Sequence, residues 1–95
     1  MGKPTSFPLP AILDPVAAAP LADGLRAALG AGFGLAIDAS AVERLSTPAV
    51  QVLLAAARSC EQADRPFRIR RPAAAFTAAL TDLGLAGSLK DWSQP

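Results

Sequence analysis

The chain has 95 residues, 52% of them hydrophobic and 18% charged, with a net charge of +1. This length predicts one domain spanning 1–95, and a charge so near zero gives no electrostatic case for binding nucleic acid or an acidic membrane surface. With no histidine and one cysteine, Cys60, the sequence excludes a His/Cys metal site and an internal disulfide. A lone cysteine fits a reducing compartment, so we expect a cytoplasmic protein.

The N-terminal part of the chain is rich in proline. We expect 1–6 to form a loose arm, and 7–13 to form an edge strand or an irregular strand. The reason is that Pro8 and Pro10 lack the N–H donor that a central strand requires.

A first helix is predicted to follow Asp14 and Pro15, which suit a helix N-cap and the first helical position. Because Pro20 is awkward inside a helix, either the helix begins near Ala19 or a turn precedes it. We expect Gly30 to end the helix in a left-handed conformation. The continuous apolar run 34–37 then predicts a strand buried on both faces.

The clearest helix signal opens at Ser46, Thr47 and Pro48, and the apolar spacing after it predicts a helix over 48–62. Alternation predicts a strand over 67–70, and helical spacing predicts a helix over 73–83 that ends at Gly84. The segment 85–92 is predicted to be a short strand or helix. Strands that alternate with helices across short loops predict an α/β domain.

One pattern in this chain resembles the signature of STAS domains, the family of bacterial anti-sigma factor antagonists. The residues that carry the resemblance are Asp38, Ser40, Val42, Leu45, Ser46, Thr47, Ala49, Val50, Leu53 and Leu54. The resemblance extends over about 9–89. It implies a small mixed β-sheet with three to four helices packed mainly on one side.

The resemblance also implies a regulatory role in which the loop and helix at 38–50 bind a partner protein. That partner would be a serine-kinase-type anti-sigma factor, or the ATPase domain of a related histidine kinase, and the chain would be a monomer or a weak dimer. In the family, the position of Thr47 holds a hydroxyl that the kinase phosphorylates, and Ser46 is the second choice here. The sequence departs from the family in having Ser46 where an aspartate is usual and Pro48 where a small residue is common.

Structural interpretations of the same residues stay open. Thr47 suits a plain N-cap, a role that Ser46 could take instead; Asp38 suits an Asx-turn and Asp14 an N-cap, although the family places acidic residues of this kind close to the phosphorylated hydroxyl. The residues we expect to bind the partner are Asp14, Asp38, Ser40, Ser46, Thr47, Pro48, Val50 and Gln51.

Two further roles remain possible under the same resemblance. Some single-domain STAS proteins are accessory subunits that bind the ATPase of a lipid-exporting ABC transporter, and others act in chemotaxis without phosphorylation. We expect no enzyme, cofactor or metal, because the chain lacks a histidine-based catalytic pair and a glycine-rich phosphate loop after a strand. Four arginines, 65, 68, 70 and 71, are expected to form a solvated strand face.

Overall fold

A computed structural model describes residues 3–93, and it confirms the α/β class. The elements in chain order are β1 (Thr5–Pro8), β2 (Ile12–Leu13), a 3-10 turn (Pro15–Ala17), α1 (Ala18–Ala31), β3 (Leu35–Asp38), β4 (Arg44–Leu45), α2 (Thr47–Gln62), β5 (Phe67–Arg70), α3 (Ala74–Asp82) and α4 (Ala86–Trp92). No helix within 3–93 has the length and apolar character needed to cross a membrane.

The main sheet has three strands in the order β1-β3-β5, and β2 pairs with β4 in a two-stranded ribbon beside it. Every strand pair among the described residues is parallel, so the predicted mixed sheet is a parallel one over this range. The chain crosses from β1 to β3 through α1 and from β3 to β5 through α2, as parallel neighbours require, because a hairpin cannot join them.

One face of the sheet is apolar and the other is open. Leu35 and Ile37 of β3 are fully buried, whereas Ala36 and Asp38 between them are half-buried. The prediction that β3 is buried on both faces is therefore wrong, because the described helices pack on the Leu35 side of the sheet, which forms one core with them. That core also takes in Phe67 and Ile69 of β5.

α1 and α2 pack against each other and against the strands. α2 buries Ala49, Val50, Leu53, Ala56 and Cys60, a spacing that keeps one helical face towards the sheet and confirms the predicted helix. Phe76 and Leu80 of α3 complete the core from the other end of the chain.

The N-terminal prediction needs correction. Thr5 and Ser6 belong to β1 rather than to a loose arm, while Met1 and Gly2 of the predicted arm lie outside the described residues. The segment 7–13 divides between β1 and β2, separated by Leu9–Ala11. The predicted edge position holds for β1, which pairs only with β3 among the described strands.

Of the two predicted starts of α1, the structure has the one in which a turn precedes the helix. Asp14 caps the 3-10 turn at Pro15–Ala17, and Pro20 lies in the first turn of α1, where a missing N–H costs little. Gly30 does not end the helix, which continues to Ala31. The glycine that the fold requires is Gly34, because its φ is +115° and an added Cβ would lie 2.2 Å from the Pro66 carbonyl oxygen.

Candidate functional site

The connection from β3 to α2 is a loop held in place by backbone hydrogen bonds. The Ala39 N–H donates to Arg70 at 3.0 Å, and the Ala39 carbonyl accepts from Ala73 at 3.1 Å. Further along, the Ser46 N–H donates to the Leu13 carbonyl at 2.8 Å. These hydrogen bonds connect the loop to the segment around Arg70 and to β2, and they fix the position at which α2 begins.

The N-terminus of α2 presents an exposed threonine side chain. Ser46 is the N-cap, with extended backbone (φ −78°, ψ 159°), and its Oγ accepts from the Ala49 N–H at 3.4 Å. Thr47 is the first helical residue and Pro48 the second, and both are exposed. The interpretation of Thr47 as the cap is therefore wrong, because Ser46 fills that role and leaves the Thr47 side chain at the surface.

The electrostatics of this helix end favour an anionic group. The first turn of α2 carries no acidic residue. Unpaired N–H groups and the helix dipole make such an end partly positive. A negative charge added at Thr47 would be compatible with the helix itself, so its main effect would fall on whatever lies against this surface.

An apolar groove of about 470 Å³ runs between α1 and α2 beside this helix end. The residues that line it are Ala18, Ala19, Ala22, Leu25, Arg26, Leu29, Pro48, Gln51, Val52, Ala55, Ala56 and Ser59. Half of these side chains are alanine or serine, so the groove has room for bulkier side chains from outside. Val16, in the 3-10 turn that packs against α2, is 84% exposed and adds apolar surface nearby.

Asp14 and Asp38 take the structural roles that the sequence left open, an N-cap for Asp14 and an Asx-turn for Asp38. The Asp14 Oδ1 accepts from the Ala17 N–H at 3.0 Å, which is an N-cap. The Asp38 Oδ1 accepts from the Ser40 N–H at 3.0 Å, which is an Asx-turn, and its Oδ2 pairs with Arg71. Hydrogen bonds from Ser40, with a smaller contribution from Arg71, hold the pKa of Asp38 below its ordinary value.

The predicted site residues fall into two groups. Asp14 lies on the turn that packs against α2, whose first residues carry Ser46, Thr47, Pro48 and Gln51. Asp38 and Ser40 lie at the carboxyl end of β3. The side-chain hydrogen bonds of the described residues join Asp38 to Arg71 and leave it unconnected to the α2 end.

Val50 is wrong as a partner-contact residue. It is only 1% exposed, because it lies on the core face of α2 with Leu53. Close to Val50 on α2, Gln51 and Ala55 are exposed and Val52 is half-buried, and all three line the groove. Sequence reasoning missed the groove alanines, since alanine gives no polar or bulky signal to distinguish a surface groove from close packing.

The arginines near β5 act largely within the fold. Arg65 donates to the Gly32 carbonyl at 2.9 Å and lies 4.7 Å from the centre of the Phe33 ring. Arg68 bonds the Phe67 carbonyl, and Arg71, at φ +50°, pairs with Asp38. The role of Arg71 was also missed, because its partner lies 33 residues away in sequence.

Cys60 is fully buried, as expected for a small hydrophobe, and burial raises the pKa of its thiol. Within 3–93, no three acidic, histidine or cysteine side chains are grouped as metal ligands. Trp92 packs edge-on against Phe67, with ring centroids 5.2 Å apart. A second, more polar concavity of about 690 Å³ lies around Arg58, Arg65 and Trp92, whereas the α1–α2 groove is the apolar one and adjoins the exposed end of α2.

Comparison with known proteins gives one match. A family model described as "Mlab, STAS domain" matches residues 9–91, which includes the whole loop, both groove helices and β5. No curated protein and no solved structure matches the chain.

Proposed function

Because the chain belongs to the STAS domain family, we propose that it is a regulatory module that binds a protein partner through the α1–α2 groove and the N-terminal end of α2. The observation that carries the proposal is the exposed Thr47 beside an alanine-lined groove. A groove lined with small side chains gives up little of its own packing when a partner inserts larger ones, so binding there need not disturb the core.

The partner we propose is a kinase-type anti-sigma factor, or the related ATPase domain of a histidine kinase, with Thr47 as the switch. Phosphorylation would add close to two negative charges at the edge of the groove. Desolvating that charge against an apolar interface is unfavourable, so the modified form would release the partner. The capping of α2 supports a switch at Thr47, because Ser46 supplies the N-cap and the Thr47 side chain is not needed for it.

The test uses two alanines that differ in position. Ala55 lines the groove, whereas Ala27 is exposed on α1 outside it. Tagged wild type, Ala55→Glu, Ala27→Glu and Thr47→Glu are used to capture proteins from native lysate, which are identified by mass spectrometry. We expect wild type and Ala27→Glu to retain one kinase-type protein that Ala55→Glu and Thr47→Glu lose. Equal retention by all four would contradict the proposal.

A second candidate is an accessory subunit of a transporter ATPase that uses the same groove without modification. The apolar lining of the groove favours a permanent interface, and the description of the matched family model names Mlab rather than an anti-sigma role. This candidate predicts that Ala55→Glu loses a transporter ATPase, and that intact-mass measurement of the protein from growing cells finds no phosphorylated form. A form heavier by one phosphate would count against it.

A further inference from the structure

Hydrogen bonds define which side of β1 faces the sheet. The Thr5 N–H donates to the Gly34 carbonyl at 3.0 Å, and the Leu9 N–H donates to the Asp38 carbonyl at 2.9 Å. The parallel register places Phe7 opposite Ile37 between these two bonds. Because the N–H and C=O groups of successive residues point to opposite sides along a strand, those of Ser6 and Pro8, which lie between these three residues, point away from β3.

Within β1, Ser6 and Pro8 hold the two outward positions. Pro4 and Pro10 flank the strand, and the same alternation, continued by one residue beyond Thr5 and Leu9, assigns both to the outward side. A strand added to this edge would need an N–H donor at each outward position, and only Ser6 provides one. At the other three, a proline ring stands where the N–H would be, which removes the hydrogen bond and obstructs the approach of a neighbouring backbone.

We infer that these prolines close the β1 edge against strand addition, so that neither a second copy of this chain nor an extended segment of a partner can lengthen the sheet there. The alternation carries the inference. Prolines stand only at outward-facing positions, while the three ladder donors Thr5, Phe7 and Leu9 are all residues with an N–H. An exposed edge strand is otherwise a template for edge-to-edge association.

The opposite edge of the sheet carries a different protection. By the same alternation, the Phe67 carbonyl faces away from β3, and the Arg68 guanidinium donates to it at 3.1 Å. Arg68 and Arg70 also place positive charge on β5, which disfavours pairing with an identical strand. Both edges of the described sheet are thus protected, β1 by missing donors and β5 by charge and an occupied acceptor.

The first test compares two proline substitutions at neighbouring positions. Ser6→Pro removes an N–H that faces outward, so we expect the melting temperature to change by less than about 3 °C. Thr5→Pro removes the N–H that bonds Gly34, so we expect a fall of more than about 5 °C. Equal falls in the two variants would overturn the assignment of the outward positions.

The second test opens the edge. The triple variant Pro4→Thr, Pro8→Thr, Pro10→Thr restores three donors on strand-favouring residues, and Pro20→Thr is the control because Pro20 is exposed on α1. In sedimentation velocity over a wide concentration range, we expect the triple variant to associate more strongly than wild type, and the control to match wild type. A triple variant that sediments as wild type does would overturn the proposal. If the triple variant fails to fold, amide hydrogen exchange on wild type is the deciding measurement. Rapid exchange at Ser6 together with protection at Phe7 would support a β1 edge to which no strand is paired. Protection of the Ser6 N–H would overturn the proposal.

Discussion

At the scale of single residues, the proposed site depends on whether Ser46 or Thr47 is the N-cap of α2. Two neighbouring hydroxyl residues precede Pro48, and sequence alone could not assign the cap between them. The structure assigns it to Ser46, whose backbone is extended and whose Oγ accepts from Ala49. This assignment leaves Thr47 at the surface, where a change of its side chain can alter binding without unfolding the helix.

The assignment predicts unequal effects of two alanine substitutions on stability. Ser46→Ala removes the cap, and we expect it to lower the free energy of unfolding by about 1 kcal/mol. Thr47→Ala removes no cap, and we expect a change within about 0.5 kcal/mol. Urea denaturation followed by circular dichroism measures both. A larger loss in Thr47→Ala than in Ser46→Ala would show that the cap is Thr47.

Asp38 predicts a specific dependence of stability on pH. Its folded-state pKa lies below the unfolded value of about 3.9, because Ser40 and Arg71 favour the ionised form. The stability it contributes is therefore present above that unfolded value, and it is lost as the pH falls through the folded value. We expect the stability advantage of wild type over Asp38→Asn to be largest near neutral pH and to shrink in acid. If the difference between the denaturation midpoints of the two proteins stays constant from neutral to acid pH, the predicted contribution of Asp38 is ruled out.

At the scale of elements, local patterns predicted the strand β5 and the helix α2 well, because each has a clear period and clear end signals. The end of α1 was not predictable in the same way. Gly30 carries the local signal for a helix end, but α1 continues to Ala31 and Gly32 is its C-cap. The glycine with a positive φ is Gly34, which Pro66 approaches from a segment more than 30 residues away. A contact between distant segments leaves no local signature.

Two glycines therefore predict opposite outcomes. Gly34→Ala would place a Cβ against the Pro66 carbonyl at a positive φ, and we expect a loss of at least about 2 kcal/mol. Gly30→Ala meets no atom within 4 Å and lies within α1, so we expect a gain of up to about 1 kcal/mol. Thermal denaturation of both variants checks this. Destabilisation by Gly30→Ala would indicate that α1 ends at Gly30, as the sequence pattern predicted.

At the scale of the whole molecule, the alternation of strands and helices was enough to predict the α/β class, and the loop signature from Asp38 to Leu54 was enough to predict the family. It was not enough to predict the binding surface. The signature includes Val50, which the fold buries, and omits Ala19 and Ala55, which the fold exposes in the groove. Which face of α2 remains free depends on where α1 and the sheet pack, and that is a property of the assembled chain.

The central claim is that Thr47 and the α1–α2 groove form one binding surface whose affinity depends on charge at Thr47. The most direct measurement is the dissociation constant of the captured partner for wild type, Thr47→Ala and Thr47→Glu. We expect Thr47→Ala to bind about as wild type does and Thr47→Glu to bind at least about tenfold more weakly, a difference of about 1.4 kcal/mol. An acidic residue suits a helix N-terminus, so unfolding would not explain that loss. Equal affinities of the three proteins would contradict the claim.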